Sequence, residues 1–191
     1  MKKRQFLQLA AGGLCLGGLG VLGSSQAQAP ASSASSVSSS ASAPQTELEL
    51  LEHSLSGVDA NGKKLALTDF PKQTVLVSFF TAGCNLCNHD LKLMREFYVR
   101  NVKRNFILLG ISMDQNKADF DAYNQIVSVT VPKEQRFPIL WRNAPGHKDS
   151  FGTIAKQPTH FVLDRKRHIL LRREGTFQPN DWDMLWEWLD A

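Results

Sequence analysis

The chain has 191 residues, of which 42% are hydrophobic and 21% charged. This length and composition fit one globular domain, or two at most, with enough apolar side chains for a real core. Its 22 basic and 18 acidic residues give a net charge of +4, but three of the basic residues stand at positions 2–4, within an N-terminal stretch of 29 residues that has no acidic one. The other 19 basic residues nearly balance the 18 acidic ones, which removes the electrostatic argument for a nucleic-acid-binding surface or a polybasic membrane patch.

Residues 1–29 have the three parts of an export signal. The basic residues at 2–4 are followed by an apolar stretch, Leu9–Leu22, and by Ala27-Gln28-Ala29, after which cleavage is expected. The apolar stretch has 14 residues, five of them glycine, so it is short for a membrane-spanning helix, which needs roughly 20 apolar residues. The run 3–8 resembles a twin-arginine signal with Lys in place of the first Arg. We therefore predict a periplasmic or otherwise exported protein.

A Ser/Ala-rich segment over residues 30–46 follows the signal. Such a segment buries too little apolar surface to offset its chain entropy, so we expect a flexible linker. A single domain is predicted over residues 47–191. If the signal stays uncleaved, the linker would tether this domain to a membrane; otherwise it is the N-terminus of the mature protein.

From Glu47 the pattern changes to alternating strands and helices. Strands are predicted for short apolar or β-branched runs: a hairpin in Leu48–Leu67 around the turn Asp59–Gly62, buried strands at Thr74–Thr81 and Phe106–Ser112, and a closing hairpin of Thr159–Asp164 and Ile169–Arg173. Helices are predicted from Asn85 to about Val102, over Lys117–Ile126 and over Asp181–Ala191, with a less regular stretch up to Pro138. Strands that alternate with helices indicate an α/β fold, and the closing hairpin makes the central sheet mixed.

Two of these helices carry side chains at three- and four-residue steps, which places those side chains on one face. On the first helix the shared face is formed by Cys87, Asp90, Leu91, Met94, Tyr98 and Val102. On the last helix it is formed by Trp182, Leu185, Trp186 and Leu189. Tryptophans at this spacing indicate core packing rather than a cofactor site.

The chemistry is expected at Cys84-Asn85-Leu86-Cys87. Cys15 is predicted to leave with the signal, and two cysteines in an oxidising compartment form a structural disulfide, a redox couple or a metal site. A loop closed around two residues removes little chain entropy, which makes it a poor structural staple. Where a buried strand meets a helix, the helix N-terminus stabilises a thiolate at Cys84. Cys87, one turn into the helix, is placed to attack a mixed disulfide formed at Cys84.

Two other uses of the cysteine pair fit the spacing less well. Attachment of a c-type haem needs a histidine directly after the second cysteine, but Asn88 follows Cys87 and the histidine comes one place later, at His89. A structural zinc site normally needs a second pair of ligands, and the predicted mature chain has no other cysteine.

The run Thr74–Cys87 resembles the strand and active-site turn of the thioredoxin superfamily, and most closely that of the TlpA/ResA-type exported thiol-disulfide oxidoreductases. The likeness covers most of residues 50–191. Ser56–Leu67 fits the N-terminal hairpin addition of that family, Leu108–Asp114 its second strand and following Asp, and Gln157–Asp164 its Pro-Thr-x-Phe-x-x-Asp segment. The resemblance implies a thioredoxin-like fold in which helices flank a central mixed sheet.

The resemblance also implies a role for each matching residue. Cys84 would be the nucleophile and Cys87 the resolving thiol of a redox-active disulfide. Pro158 would be the cis-proline that, together with Gln157, presents a backbone edge to the partner. Asp90 stands where the family usually has Glu beneath the active site; it would relay a proton during exchange or, alternatively, only favour the helix dipole.

The partners implied by the resemblance are protein dithiols or disulfides in the cell envelope. A further soluble or membrane redox partner would recharge the cysteine couple. Neither nucleic acid nor an organic cofactor is implied.

The chain departs from the family pattern beside both cysteines and in the closing hairpin. Gly83 stands where the family usually has Trp, and Leu86 where it has Pro. Both changes alter the exposure and hydrogen bonding of the Cys84 sulfur, so the reduction potential does not follow from the resemblance. Arg165-Lys166-Arg167 replaces the usual turn glycine and, with Arg172 and Arg173, would either grip an acidic partner or form a solvated hairpin.

Two alternative activities start from the same residues. SCO-type copper chaperones share the thioredoxin fold and bind copper through two cysteines and a histidine, for which Cys84, Cys87 and His160 are the candidates. The SCO-type motif, however, has three residues between its cysteines, and its histidine matches the position of Pro158. A peroxiredoxin-like activity would need a Thr-x-x-Cys site, and Thr81–Cys84 has that spacing.

Overall fold

The computed structural model describes residues 51–190. The predicted export signal (1–29) and linker (30–46) lie outside the described residues. The strands are β1 (Leu55–Val58), β2 (Lys64–Ala66), β3 (Thr74–Phe80), β4 (Phe106–Ser112), β5 (Ile139–Trp141), β6 (Lys148–Asp149), β7 (Thr159–Leu163) and β8 (Ile169–Glu174). The helices are α1 (Asn85–Asn101), α2 (Lys117–Thr130) and α3 (Pro179–Asp190), with single 3-10 turns at Leu67–Asp69 and Lys133–Gln135. Between residues 51 and 190, no helix has the length and apolarity needed to span a bilayer.

The central sheet has five strands in the order β5-β4-β3-β7-β8. Strands β3, β4 and β5 run parallel, β7 is antiparallel to β3, and β8 is antiparallel to β7. The predicted mixed sheet is therefore confirmed. Helices α1 and α2 connect successive parallel strands that step in the same direction, and right-handed crossovers of that kind lie on the same face of a sheet.

Side chains of β3 alternate between two hydrophobic clusters, one on each face of the sheet. On the helix face, Leu76 and Phe80 pack with buried residues of α1, α2 and α3. On the other face, Val75, Val77 and Phe79 pack against a second, smaller sheet of order β2-β1-β6. The predicted N-terminal hairpin is confirmed as β1 and β2, and β6 adds a strand to it that the sequence analysis did not predict.

The helix predictions were correct in position and wrong in detail. On α1 the fully buried face continues with Phe97 and Asn101, which the prediction omitted; Tyr98 is half-buried and packs against the core, whereas Val102 is exposed. Asn101 lies seven residues after Met94 and stays in line with it, whereas Val102 is turned away by roughly 80°. Helix α2 extends past the predicted end to Thr130.

The tryptophan stripe of α3 was predicted as core, and this is true of only part of it. Leu185 and Leu189 are buried, but Trp186 is 39% exposed. Trp186 packs edge-on against Phe97, and the Arg104 guanidinium lies over its ring. Its position at the rim of the core accounts for the exposure.

The basic turn between β7 and β8 is not the uniformly solvated hairpin favoured by its sequence. Arg165 and Lys166 are exposed, but Arg167 is buried at a positive φ of 70°. The Arg167 guanidinium donates hydrogen bonds to the carbonyl oxygens of Leu67, Phe70 and Gln73. Arg167 therefore joins this turn to the segment that leads into β3, rather than facing a partner.

Candidate active site around Cys84 and Cys87

Cys84 and Cys87 lie where β3 gives way to α1, at one end of the central sheet. Cys84 is the N-cap residue of α1 and has an extended backbone, and its sulfur accepts a hydrogen bond from the backbone N–H of Cys87 at 3.0 Å. The two cysteines are joined by a disulfide. Cys84 is half-buried and Cys87 fully buried. A partner can therefore reach the first sulfur more readily than the second.

Asp114, which follows β4, fixes the turn before Cys84. Its Oδ1 accepts a hydrogen bond from the backbone N–H of Ala82 at 3.0 Å, and its Oδ2 accepts one from the Ser112 hydroxyl at 2.7 Å. The side chains of Trp141 and Asn143 donate to the Asp114 carbonyl oxygen. The sequence analysis noted this Asp only as part of a matching segment. Its place directly after a buried parallel strand was the signal that it lies at the same sheet edge as the cysteines.

Gln157 and Pro158 face the cysteines from the start of β7. The Gln157–Pro158 peptide bond is cis, as the resemblance implied. The Gln157 carbonyl oxygen lies 3.9 Å from Cys84 Sγ. The structure therefore brings together Cys84, Cys87, Gln157 and Pro158, which are separated by about 70 positions in the chain.

The surface next to Cys84 is open. Gly83 is exposed, and a Cβ atom at this position would meet no atom within 4 Å in the described part of the chain, its two sequence neighbours aside. Leu86, between the two cysteines, is 59% exposed. The departures from the family pattern thus remove a large ring from one side of Cys84 and place a flexible apolar side chain on the other.

Asp90 lies one turn beyond Cys87, on the same buried face of α1. It is 1% exposed. Its Oδ2 accepts a hydrogen bond from the backbone N–H of Phe177 at 2.9 Å and lies 3.0 Å from His160 Nε2. Since a carboxylate oxygen accepts hydrogen bonds and does not donate them, Nε2 carries the hydrogen. Asp90 is thus an internal carboxylate with specific partners, and it lies beyond the first turn of α1, where an acidic side chain favours the helix dipole.

The remaining candidates make no bond to either cysteine within residues 51–190. His89 is exposed on α1. Arg172 pairs with Glu174, and Arg173 makes two hydrogen bonds to the buried carboxylate of Asp181, at 2.6 and 2.8 Å. Both arginines are therefore engaged by acids of this chain.

His160, the third member of the alternative copper set, has its Nε2 hydrogen bonded to Asp90. Residues 51–190 contain no group of three or more His, Cys, Asp or Glu side chains placed to hold a metal ion.

Known proteins resemble this chain in both sequence and fold. The thiol-disulfide oxidoreductase ResA of Geobacillus thermodenitrificans is 23% identical over 123 residues, which cover 64% of this chain and 67% of that protein. ResA of a Bacillus thuringiensis strain is 23% identical over 117 residues, covering 61% of this chain and 64% of its own length. The chain thus spans about two thirds of the length of these relatives.

Among solved structures, a thiol:disulfide interchange protein from Chlorobium tepidum has a TM-score of 0.57 at 19% identity, covering 72% of this chain and 94% of that one. StoA from Bacillus subtilis has a TM-score of 0.52 at 20% identity, covering 71% and 95%. At these identities the likeness shows the thioredoxin-like fold. Residues 40–172 match the AhpC/TSA family, and the chain belongs to that family.

Proposed function

We propose that this protein is an exported thiol-disulfide oxidoreductase that exchanges disulfides with protein partners through Cys84 and Cys87. The observation that carries the proposal is a disulfide between a half-buried and a fully buried cysteine at a helix N-terminus, beside a cis-proline. The curated relatives that the chain matches are thiol-disulfide oxidoreductases by name, which supports the same reaction here.

The reaction follows from the different exposure of the two sulfurs. In the reduced protein the Cys84 thiolate, stabilised by the Cys87 N–H and the helix N-terminus, attacks one sulfur of a partner disulfide and releases the other as a thiolate. Cys87 then loses its proton and attacks Cys84 Sγ in the mixed disulfide, which releases the second partner sulfur. Two electrons pass to the partner, whose two thiolates take their protons from solvent, and the protein is left as the Cys84–Cys87 disulfide. The reverse sequence oxidises a partner dithiol.

Gln157 and Pro158 support docking of an extended partner segment. The Gln157 carbonyl oxygen lies beside Cys84 Sγ, and Gln157 itself is half-buried. A partner backbone that donates to such an edge would place its own sulfur next to Cys84, as in strand-addition modes of peptide recognition. The open space at Gly83 leaves room for the partner's neighbouring side chains.

Asp90 is proposed as the group that takes the Cys87 proton. It shares the buried face of α1 with Cys87 and lies one turn away from it. A buried carboxylate beneath the cysteines can accept a proton directly from a side chain.

The proposed export of the protein and its location in the cell envelope rest on the sequence of residues 1–29 and 30–46. The proposed partners are protein thiols or disulfides of the cell envelope, together with a protein that recharges the couple. Cleavage after Ala29 would release a soluble protein, and an uncleaved signal would leave it tethered through the linker.

The deciding experiment is a measurement of the reduction potential of the Cys84–Cys87 couple on the full chain carrying Cys15→Ser, so that one pair of thiols titrates. A reversible two-electron couple supports the proposal. A potential near −270 mV would make the protein a reductant, and one near −120 mV an oxidant. A Cu(I) titration is run in parallel, and tight one-to-one binding that is lost in His160→Phe would favour the copper hypothesis instead.

Hydrogen peroxide serves as a competing oxidant in the same assay, since Thr81–Cys84 has the spacing of a peroxide-reducing site. Faster oxidation of the reduced protein by peroxide than by a disulfide would contradict the proposal. Cys84→Ser should abolish exchange, whereas Cys87→Ser should accumulate mixed disulfides.

A further inference from the structure

A row of polar residues crosses the helix face of the central sheet, directly beneath α1. Ser78 on β3 pairs with His160 on β7, which in turn pairs with Arg173 on β8. Residues paired across strands point to the same face, and the neighbours two places along, Phe80 and Val162, belong to the helix-side core. The side chains of Ser78 and His160 therefore lie under α1, among apolar residues, and the row continues through Arg173 to Asp181 on α3.

The two ends of the row differ in how completely their polar atoms are bonded. At the β8 end, Asp181 receives two hydrogen bonds from Arg173 and one from the backbone N–H of Gln178. Burial opposes ionisation of Asp181, but these bonds and the nearby charge of Arg173 hold its pKa below the ordinary value. At the other end, Asp90 Oδ1, His160 Nδ1 and Ser78 Oγ are all buried and have no hydrogen-bond partner within the described part of the chain.

His160 connects the two elements that form the candidate active site, strand β7 with Pro158 and helix α1 with the cysteines. It lies two residues after Pro158, on the same side of β7, and its Nε2 is bonded to Asp90 on the helix that begins with the cysteines. The ring is fully buried and packs edge-on against Phe177, at 5.5 Å between ring centres. Phe177 also donates its backbone N–H to the same Asp90 oxygen. Both bonds hold Oδ2 and leave Oδ1 uncommitted.

We infer that His160 is a positioning residue: its Nε2–H bond orients the Asp90 carboxylate so that Oδ1 takes the proton of Cys87 in the resolving step. This inference rests on the proposed function. In the step, Cys87 S–H passes its proton to Asp90 Oδ1, and the Cys87 thiolate forms the bond to Cys84 Sγ. The bond from Cys84 to the partner sulfur breaks, and the partner leaves as a thiolate that is protonated from solvent. Asp90 then returns its proton to solvent, and His160 keeps its hydrogen throughout.

The test separates the two steps of exchange with one small probe, glutathione disulfide. The reduced full chain, carrying Cys15→Ser, is mixed with glutathione disulfide, quenched with acid at intervals and analysed by intact mass spectrometry. The reduced, glutathionylated and disulfide forms have different masses, so the time course gives one rate for attack by Cys84 and another for resolution by Cys87.

His160→Phe keeps a ring of similar shape and removes the hydrogen-bonding nitrogens. We expect resolution to slow by about ten- to a hundredfold, as for a displaced catalytic group, while attack by Cys84 is unchanged. His160→Gln places an amide N–H near the Nε2 position and should restore resolution to within about threefold of the unmodified rate, whereas the shorter His160→Asn should not. His147→Phe is the matched control, because His147 Nε2 makes a bond of the same length, 3.0 Å, to Asp149. It should change neither rate.

The outcomes are distinguishable from a failure of the proposed function. If the unmodified chain forms neither the glutathionylated species nor the disulfide, the oxidoreductase proposal itself fails. If exchange proceeds and His160→Phe resolves as fast as the unmodified chain, the positioning role is wrong. Should His160→Phe not fold, as judged by circular dichroism and its urea midpoint, the Gln and Asn variants decide. Fast resolution in Gln with slow resolution in Asn supports the inference, and equal rates overturn it.

Discussion

Two histidine–aspartate pairs with buried side chains lie on opposite faces of the central sheet, and each has the same 3.0 Å bond from a histidine Nε2 to an aspartate Oδ2. In the pair His147–Asp149, both carboxylate oxygens are fully engaged. Arg142 Nε and Nη2 donate to Oδ2 and Oδ1 at 2.8 and 2.7 Å, and the backbone N–H of Phe151 donates to Oδ1 at 3.1 Å. In the pair His160–Asp90, Oδ1 has no partner among the described residues.

The difference suits the two pairs to different tasks. Burial opposes ionisation of Asp149, but hydrogen bonds from His147 and Arg142 and the Arg142 charge outweigh it and lower the pKa to about 2. A carboxylate held in this way is a poor proton acceptor at neutral pH, and it links the residues that donate to it. Among residues 51–190, the hydrogen bonds to Asp90 come from His160 and Phe177 and not from an arginine, and Oδ1 has no partner, which leaves it able to accept a proton. The same histidine–aspartate bond thus has a structural role where both carboxylate oxygens are bonded. Where one oxygen is not bonded, the carboxylate can also take a proton.

The largest expected effect is on stability, at the saturated pair. Arg142→Gln removes both guanidinium bonds to Asp149 and leaves a buried carboxylate with a single side-chain partner. We expect a loss of about 3 kcal/mol in the free energy of unfolding, measured by urea denaturation at pH 7. The rate of exchange with glutathione disulfide should stay the same. A stability loss below about 0.5 kcal/mol, the size typical of a surface substitution, would show that the Arg142–Asp149 contact does not stabilise the fold.

Next in size is the effect of Asp90→Asn on exchange. The amide cannot take the Cys87 proton, so resolution should slow by about a hundredfold, which corresponds to about 2.7 kcal/mol of activation free energy. Attack by Cys84 should be nearly unchanged, and the mixed disulfide with glutathione should accumulate. Asp149→Asn is the control, and resolution that is equally fast in both variants would remove the distinction between the pairs.

A smaller effect is expected from pH. The pKa of Asp149 is about 2 in the folded protein and about 3.9 in the unfolded chain. Its contribution, about 2 kcal/mol, is therefore fully present above roughly pH 5 and is lost as the pH falls from about 4 to about 2. The difference in unfolding free energy between the unmodified chain and Asp149→Asn should shrink over that interval. A difference that does not change with pH would contradict the assignment.

The smallest effect is expected for His147→Phe. Arg142 and Phe151 still hold Asp149, so we expect a loss of about 1 kcal/mol in unfolding free energy, the value of one hydrogen bond. Differential scanning calorimetry can resolve the accompanying shift in Tm. A loss as large as that of Arg142→Gln would mean that His147 contributes as much as Arg142 to holding Asp149.

Much of the fold could be predicted from sequence because it depends on local patterns. The β-branched run before Cys84 predicted strand β3, and the spacing of apolar residues after Asn85 predicted helix α1. The cysteine turn was therefore expected between them. Strands β5 and β6 have three and two residues, which is too short for any periodicity to be visible. The cis-proline opposite the cysteines was predicted only through the resemblance to a family.

The side-chain partnerships depend on chain topology and could not be predicted in this way. Asp90 and His160 are 70 positions apart, and they meet because β7 inserts beside β3 in the sheet. The sequence analysis had assigned His160 only to the alternative copper set. Likewise, nothing in Arg165-Lys166-Arg167 distinguishes the third residue, which is buried because the segment 67–73 passes within reach of it.

Arg167 has a consequence for how a partner is received. It joins the turn after β7 to Gln73, the residue just before β3, and these are the ends of the two strands farthest from the cysteines, since Val75 pairs with Leu163 and Phe79 with Thr159. The cysteine turn leaves β3 and the cis-proline enters β7 at the opposite end. Strand pairing and the Arg167 link therefore hold β3 and β7 together, which keeps the cysteine turn and the cis-proline at a set distance from each other. A receiving surface of this kind loses little conformational entropy on binding, so adjustment of shape falls to the partner segment that enters it.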